Sequence, residues 1–276
     1  MKKDTIVIIW WTWNFWYFWK RYFEDNWHKV IVTWRTTEIK SEQAVLLWDI
    51  IIISVPIRYT IDTIKNIIPF IPEWKLLIDF TWIKTEATEE LSKYTKWEVV
   101  STHPMFWPWT KSLENQNIAF DPINPWKKWE RLYDIFKNDW AKMLELKSNK
   151  HDELVSIVQS SVQMLNLVLW HILKERWINM DELMSISTPN SRMQLCILSR
   201  FLNQEASLYT DMQVYNTKYR DEILSDIESY IKNLWKDIKN KELEKIENEF
   251  NWIKDYIGKD FIDKAFEVTK KIDFKK

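Results

Sequence analysis

The segment Ser101-Thr102-His103-Pro104-Met105-Phe106-Trp107-Pro108-Trp109-Thr110 carries the clearest chemical promise in the chain. The imidazole of His103 ordinarily titrates near neutrality, so it suits proton transfer. It follows a short apolar run and precedes a proline-rich loop, which holds a side chain rigidly at a cleft. The bland alternative is a structural histidine. A second segment, Ile6-Val7-Ile8-Ile9 followed by Trp10-Trp11-Thr12-Trp13-Asn14-Phe15-Trp16, reads as a buried strand, a turn and a helix start. With glycine in place of its four tryptophans it spells G-G-T-G-N-F-G. In that turn backbone N–H groups face a diphosphate at a helix N-terminus. Residues 10 to 16 are therefore candidates for binding a dinucleotide: Trp10, Trp11, Thr12, Trp13, Asn14, Phe15 and Trp16.

Two further strand ends complete this constellation. After Val32-Thr33-Trp34 the chain reads Arg35-Thr36-Thr37, with no carboxylate before Glu38. An acidic residue at this place would hold a ribose 2′-hydroxyl. Arg35 and Thr36 suit a 2′-phosphate instead, which favours NADP over NAD; a solvated surface arginine is the alternative. Ile50-Ile51-Ile52-Ile53-Ser54-Val55-Pro56-Ile57 ends at the carboxyl edge of a sheet, placing Ser54, Val55 and Pro56 where a nicotinamide ribose passes. The single cysteine, Cys196, excludes a disulfide framework and a cysteine-rich zinc site, and no metal is expected.

The elements that must position these residues alternate. Short buried runs predict strands at 5–9, 30–33, 50–55, 76–80, 98–101, 117–120 and 142–146. Periodic segments between them predict helices at 15–26, 41–47, 60–68, 86–94 and 127–139. This pattern predicts an α/β Rossmann-like, doubly wound parallel sheet over residues 1–148. From 149 to 276 the strands vanish, and amphipathic helices predict an all-α helical domain.

The composition has one abnormal feature: 1 glycine beside 20 tryptophans. Ordinary usage of about 7% would give roughly 19 glycines. Either the protein uses tryptophan heavily, or many of these letters stand for glycine, as when UGA codons that encode glycine are translated as tryptophan. The placement favours the second reading. Trp27, Trp74, Trp140 and Trp177 stand at helix ends and turns that ask for positive φ. Trp19, Trp129 and Trp235 lie within helices and read as genuine; Trp48 and Trp252 are left open. The 39 basic and 40 acidic residues give a net charge of −1, which provides no footprint for nucleic acid or an anionic membrane. No apolar run approaches the ~20 residues of a membrane span, and the start lacks a signal-peptide layout. The expectation is a cytoplasmic protein with a small-molecule substrate.

The G-G-T-G-x-F-G turn, I-S-V-P-I, D-F-T-x-I-K at 79–84 and H-P-M-F-G-P at 103–108 together resemble the prephenate dehydrogenase (TyrA) family, which includes arogenate and cyclohexadienyl dehydrogenases. The stretch from Leu198 to Gln213 resembles the family's G-R-x-x-A-Q-x-P-x-L-Y-x-x-I-Q, and His151-Asp152 resembles the H-D that opens its helical domain. The likeness covers roughly residues 5 to 216. It implies an NAD(P)-dependent oxidative decarboxylation of prephenate to 4-hydroxyphenylpyruvate in tyrosine biosynthesis, carried out by a homodimer. It makes His103 the general base and Arg200 the cation that binds a substrate carboxylate. Two departures stand out. Position 82, where the family often has serine, is Trp82, leaving Thr81 to supply a hydroxyl. Gln163 stands where the family often has a second histidine, which bears on prephenate versus arogenate. His28 and His171 read as surface or helix-end residues. Rival readings are a different NADP reductase of the same fold, such as an F420-dependent type, and a non-enzymatic tryptophan-rich interaction protein.

Overall fold

The computed structural model describes residues 4–10, 15–26, 28–34, 36–94, 96–215 and 217–271. Seven strands form one sheet in the order β2-β1-β3-β4-β5-β6-β7. They are β1 (Thr5–Trp10), β2 (Lys29–Thr33), β3 (Ile50–Ser54), β4 (Leu76–Asp79), β5 (Glu98–Pro104), β6 (Asn117–Asn124) and β7 (Lys142–Glu145). The first five are parallel, as buried runs joined by helical crossovers require. β6 departs from the all-parallel expectation. It pairs antiparallel with β5, with His103 opposite Ala119. The physical reason is the connection: residues 105–116 contain no helix, and a parallel return needs a crossover. β7 then runs parallel to β6, through a helix.

The crossover helices are α1 (Phe15–Asp25), α2 (Ser41–Leu47), α3 (Ile57–Ile67), α4 (Thr85–Leu91) and α5 (Lys127–Asn138). Alternation along the strands splits the core into two layers. Ile6, Ile8, Ile50, Ile52 and Ile78 pack on one face with Phe18, Trp19 and Phe136 of α1 and α5. Val7, Ile9, Ile51, Ile53 and Leu77 pack on the other with Ala44, Ile64 and Leu91 of α2 to α4. The amino end of α5 is capped from the sheet: the Glu98 carboxylate accepts from the backbone N–H of Lys128 at 2.8 Å and of Trp129 at 2.8 Å. That anchors a carboxylate against the positive end of a helix dipole.

Beyond the sheet come α6 (Ser148–Val155), a π-helical turn (Ser156–Ser161), α7 (Val162–Glu175), α8 (Met180–Ser185), α9 (Pro189–Arg200), α10 (Ala206–Tyr215), α11 (Thr217–Asn240), α12 (Leu243–Ile257) and α13 (Lys259–Lys270). Local signals set several ends. Asn179 caps α8, Thr188 caps α9 ahead of Pro189, and Gly258 closes α12 at φ +83°. By contacts the chain divides into two compact units: residues 1–156 with 207–217, and residues 157–206 with 218–276. The helix α10 thus belongs with the sheet. Its buried Asp211 receives the Arg58 guanidinium of α3, with Nε at 2.7 Å.

One expectation is corrected here. The continuous helical run Ser148–Glu175 is long and apolar enough to cross a membrane by length and composition. The polar letters Ser156, Gln159, Ser160, Ser161, Gln163 and Asn166 break up the apolar run in the sequence, so the helix escapes a count of consecutive apolar residues. Val158, Val162, Leu165, Leu169 and Ile172 are exposed along it. Their 4-3-4-3 spacing draws one stripe, the pattern of a helix that packs on another helix.

Candidate active site

The carboxyl ends of β1, β3, β4 and β5 lie in register along one edge of the sheet. Trp10 pairs with Ser54, Ile53 with Asp79, and Asp79 with Ser101. His103 stands two residues beyond Ser101 on the same strand and is 5% exposed. Its Nδ1 lies 2.8 Å from Nε2 of His151 on α6, and Nδ1 of His151 lies 2.9 Å from Oδ1 of Asp152. Asp152 is itself anchored. It accepts from the backbone N–H of Lys84 at 2.8 Å and of Thr85 at 2.8 Å, and from the Thr85 hydroxyl at 2.6 Å. The α6 helix is held at its start by Asp121 of β6, which accepts from the Ser148 backbone N–H at 2.8 Å and its hydroxyl at 2.9 Å.

Lys84 is fully buried beneath this network. Its ammonium pairs with Asp79 and donates to the Thr102 carbonyl at 2.6 Å. Burial pushes the Lys84 ammonium below its ordinary pKa, opposed by Asp79. Burial also holds His103 well below the usual imidazole value, helped by His151 and by the Lys84 charge. His103 is therefore neutral at ordinary pH, the state a general base needs. For Asp152, burial raises the pKa, but hydrogen bonds from His151, Thr85 and the two backbone N–H groups outweigh it and keep the carboxyl below its ordinary value.

The other predicted residues sort by place. Thr81 is buried just past β4. Its hydroxyl shares a 3.2 Å hydrogen bond with Thr60, and its N–H donates to Asp79 at 3.2 Å. Ser54 ends β3, and Val55 and Pro56 lead into α3. Thr36 is exposed in the turn after β2. Phe15 packs edge-on against Phe106 of the histidine loop, with ring centres 5.3 Å apart. Gln163 sits on α7 and Arg200 ends α9, both in the helical unit. The Gln163 Oε1 is buried without a hydrogen-bond partner among the described residues. Trp11, Thr12, Trp13, Asn14, Arg35 and the turn position Trp27 lie outside the described residues. Of the other histidines, His171 is an exposed partner of Glu175. His28 is buried, with Nδ1 3.3 Å from the Asp4 carbonyl, and is not a surface residue.

The tryptophans fall into two groups. Trp97 is at home: it is buried, and its Nε1 donates to the Pro72 carbonyl at 2.7 Å. Trp129 packs in the core against Phe120. Trp74, Trp140 and Trp177 instead adopt φ of 72°, 62° and 54°, the left-handed region that favours glycine, and are exposed. Trp10 and Trp16, at the end of β1 and the start of α1, stand 5.3 Å apart, ring to ring, and the buried Trp10 Nε1 finds no partner among the described residues. Trp82 lies against His103, ring centres 5.1 Å apart, with its buried Nε1 also unpartnered among the described residues. A dinucleotide fold seats its diphosphate at the β1–α1 crossover. Two indoles at its ends do not suit this ligand.

Sequence reasoning quoted His151, Asp152 and Lys84 only as motif letters. Their grouping around His103 was missed, because nothing in the spacing of residues 84, 103 and 151 announces a shared site.

A seven-stranded, mostly parallel sheet with a buried neutral imidazole at its carboxyl edge, followed by helices, defines a nucleotide-binding α/β domain joined to a helical domain. Residues 30–143 match the family description "Prephenate dehydrogenase, nucleotide-binding domain", and residues 147–252 match "Prephenate dehydrogenase, dimerization domain". The chain belongs to the prephenate dehydrogenase family. A probable arogenate/prephenate dehydrogenase of Methanocaldococcus jannaschii is 30% identical over 243 residues, covering 81% of this chain and 54% of that protein. The T-protein of Haemophilus influenzae is 26% identical over 192 residues, 70% of this chain and 51% of that protein. The chain thus spans about half the length of these curated relatives. Among solved structures, prephenate dehydrogenase from A. aeolicus, in complex with hydroxyphenyl propionate and NAD+, matches with a TM-score of 0.69 at 13% identity, over 92% of this chain and 96% of that one. Synechocystis arogenate dehydrogenase matches with 0.66 at 14% identity, over 90% and 96%. These likenesses establish the fold.

Proposed function

We propose that the chain is an NAD(P)-dependent prephenate dehydrogenase that converts prephenate to 4-hydroxyphenylpyruvate and CO2. The observation that carries this reading is His103, buried and held neutral at the edge of a nucleotide-binding sheet in a chain of this family. The bound nicotinamide would take the hydride from the hydroxyl-bearing ring carbon. His103 would accept the hydroxyl proton through its imidazole. Arg200 would hold a substrate carboxylate in a bidentate fork, and Thr81 and Gln163 would contact the remaining polar groups. Loss of the ring carboxylate as CO2 then leaves an aromatic ring.

The same proposal includes glycine at positions 10, 11, 13 and 16, where Cβ-free residues leave the crossover open to a diphosphate. It extends to positions 74, 140 and 177, whose backbone lies in glycine's region, and to position 82. Without an indole there, space opens beside His103 for a ring substrate. NADP is favoured by Arg35 and Thr36. The exposed stripe from Val158 to Ile172 supports a homodimer packed through helices, and a cytoplasmic enzyme is consistent with this chemistry.

Arogenate is the second reading. It is favoured by Gln163, a neutral amide where the family often has a histidine. The test is reduction of NADP and of NAD followed by absorbance, with prephenate and with arogenate, using protein carrying glycine at the positions named. A higher kcat/KM for prephenate supports the first reading, and one for arogenate the second. No turnover with either substrate would remove both. The intact mass of the protein from its own cells decides the glycine assignment independently.

A further inference from the structure

Asp152 fixes the direction of a hydrogen-bond chain that ends on His103. An ionised carboxylate only accepts. Its oxygens already receive two backbone N–H groups and the Thr85 hydroxyl, which leaves the His151 contact to be made by an Nδ1–H donor. In a neutral His151 ring, an Nδ1–H leaves the lone pair on Nε2. That lone pair faces Nδ1 of His103, so His103 must donate there, and its own lone pair falls on Nε2. We propose that His151 and Asp152 are positioning residues that lock the tautomer of His103 and present its Nε2 as the proton acceptor. The network also carries charge in the right order. As His103 gains a proton, the carboxylate two hydrogen bonds away stabilises the imidazolium, against a Lys84 charge that Asp79 offsets only in part.

The charged and titratable groups around His103 come from three elements: His151 and Asp152 from α6, Asp79 and Lys84 from β4 and the loop after it, and Asp121 from β6. Only the first pair is in line with the imidazole. A purely structural account of Asp152 exists, because it also caps the start of α4. The two accounts separate under Asp152→Asn. An amide can donate to His151 Nδ1, which reverses both hydrogen bonds and moves the His103 proton from Nδ1 to Nε2. An asparagine that merely caps leaves the tautomer alone.

The test uses the full chain labelled with 15N, whose four histidines are resolved by two-bond nitrogen–proton correlation. In the parent protein His103 and His151 are expected as neutral Nδ1–H tautomers. In Asp152→Asn, His103 is expected to become Nε2–H. Turnover is expected to fall by about 100-fold or more, consistent with wrong-tautomer effects behind other catalytic imidazoles, with KM for the cofactor within twofold. The acid limb of the kcat profile is expected to move to lower pH, since the stabilising carboxylate is gone. His151→Gln keeps an acceptor for the His103 Nδ1–H and is expected to hold turnover within about tenfold, whereas His151→Leu is expected to lose it as Asp152→Asn does. A parent His103 protonated on Nε2, an unchanged tautomer in Asp152→Asn, or equal turnover in His151→Gln and His151→Leu would overturn the proposal. The consequence for turnover rests on the dehydrogenase reading. The tautomer measurement does not, so a chain inactive on every substrate would fail the first and still decide the second.

Discussion

Two stretches of the same sheet edge behave in opposite ways. At β5, His103, His151, Asp152, Thr85, Lys84 and Thr102 form a hydrogen-bonded cluster whose pieces agree with one another. At β1, on the same edge, the rings of Trp10 and Trp16 stand 5.3 Å apart and the Trp10 Nε1 has no acceptor among the described residues. The first region works through what its side chains are, and the second through what its backbone can expose. A site built from polar side chains keeps its hydrogen bonds with a large ring such as Trp82 beside it. A site built from bare main chain vanishes as soon as a large side chain is written into it.

The largest effect that would break this contrast is at the crossover. Protein with glycine at positions 10, 11, 13 and 16 is expected to bind NADP or NAD in a titration, and protein with tryptophan there to bind at least about 1000-fold more weakly, near the non-specific limit. Equal binding would show that the indoles are accommodated and that the two regions are alike. Next comes His103→Asn. Its turnover is expected to drop by about 10² to 10⁴, the usual range for a general base, with cofactor affinity within twofold. A drop in cofactor affinity of the same size would place His103 in the crossover's task instead of its own.

A smaller effect is in pH. The folded pKa of His103 lies below its unfolded value near 6.5. Between the two values the unfolded chain binds a proton that the folded chain does not. Stability is therefore expected to decline as pH falls below about 6.5 and to go on falling to the folded pKa. The depressed carboxyl of Asp152 adds a second decline at lower pH, as its stabilisation is lost while pH falls through its folded pKa. Thermal melts of His103→Asn should lack the upper decline, and their persistence there would assign it elsewhere. The smallest effects concern single turns. In the tryptophan form, Trp74→Gly, Trp140→Gly and Trp177→Gly are each expected to raise stability by about 1–2 kcal/mol, by relieving a left-handed backbone. Gly258→Ala, at φ +83° with open space around it, is expected to lower it by about 1 kcal/mol. Denaturant melts measure both, and a null result at all three tryptophans would remove the strain argument.

Much of the fold was legible. The runs Ile6–Ile9, Ile50–Ile53 and Leu76–Ile78 are apolar without interruption, which is what a strand buried on both faces requires, and each became a strand. The reversal at β6 was not legible, because a loop's direction depends on which neighbour it meets. The break between α6 and α7 at a π-helical turn was not legible either, since apolar periodicity runs through it. At the site, His103 stood out because its loop is stiff and its residue type is rare in this chain. His151, Asp152 and Lys84 did not, because each is an ordinary letter in a helix or loop until the chain folds back on itself.

The sequence by itself determined the succession of strands and helices, the histidine that could take a proton, and the anomaly of tryptophan where turns call for glycine. These follow from local rules: residue type, periodicity, and the φ angles a side chain permits. Only the tertiary structure decided that residues 84, 103, 151 and 152 meet, and which of their polar atoms face one another. Hydrogen-bond direction and burial are properties of neighbours far apart in the chain, and no local rule contains them.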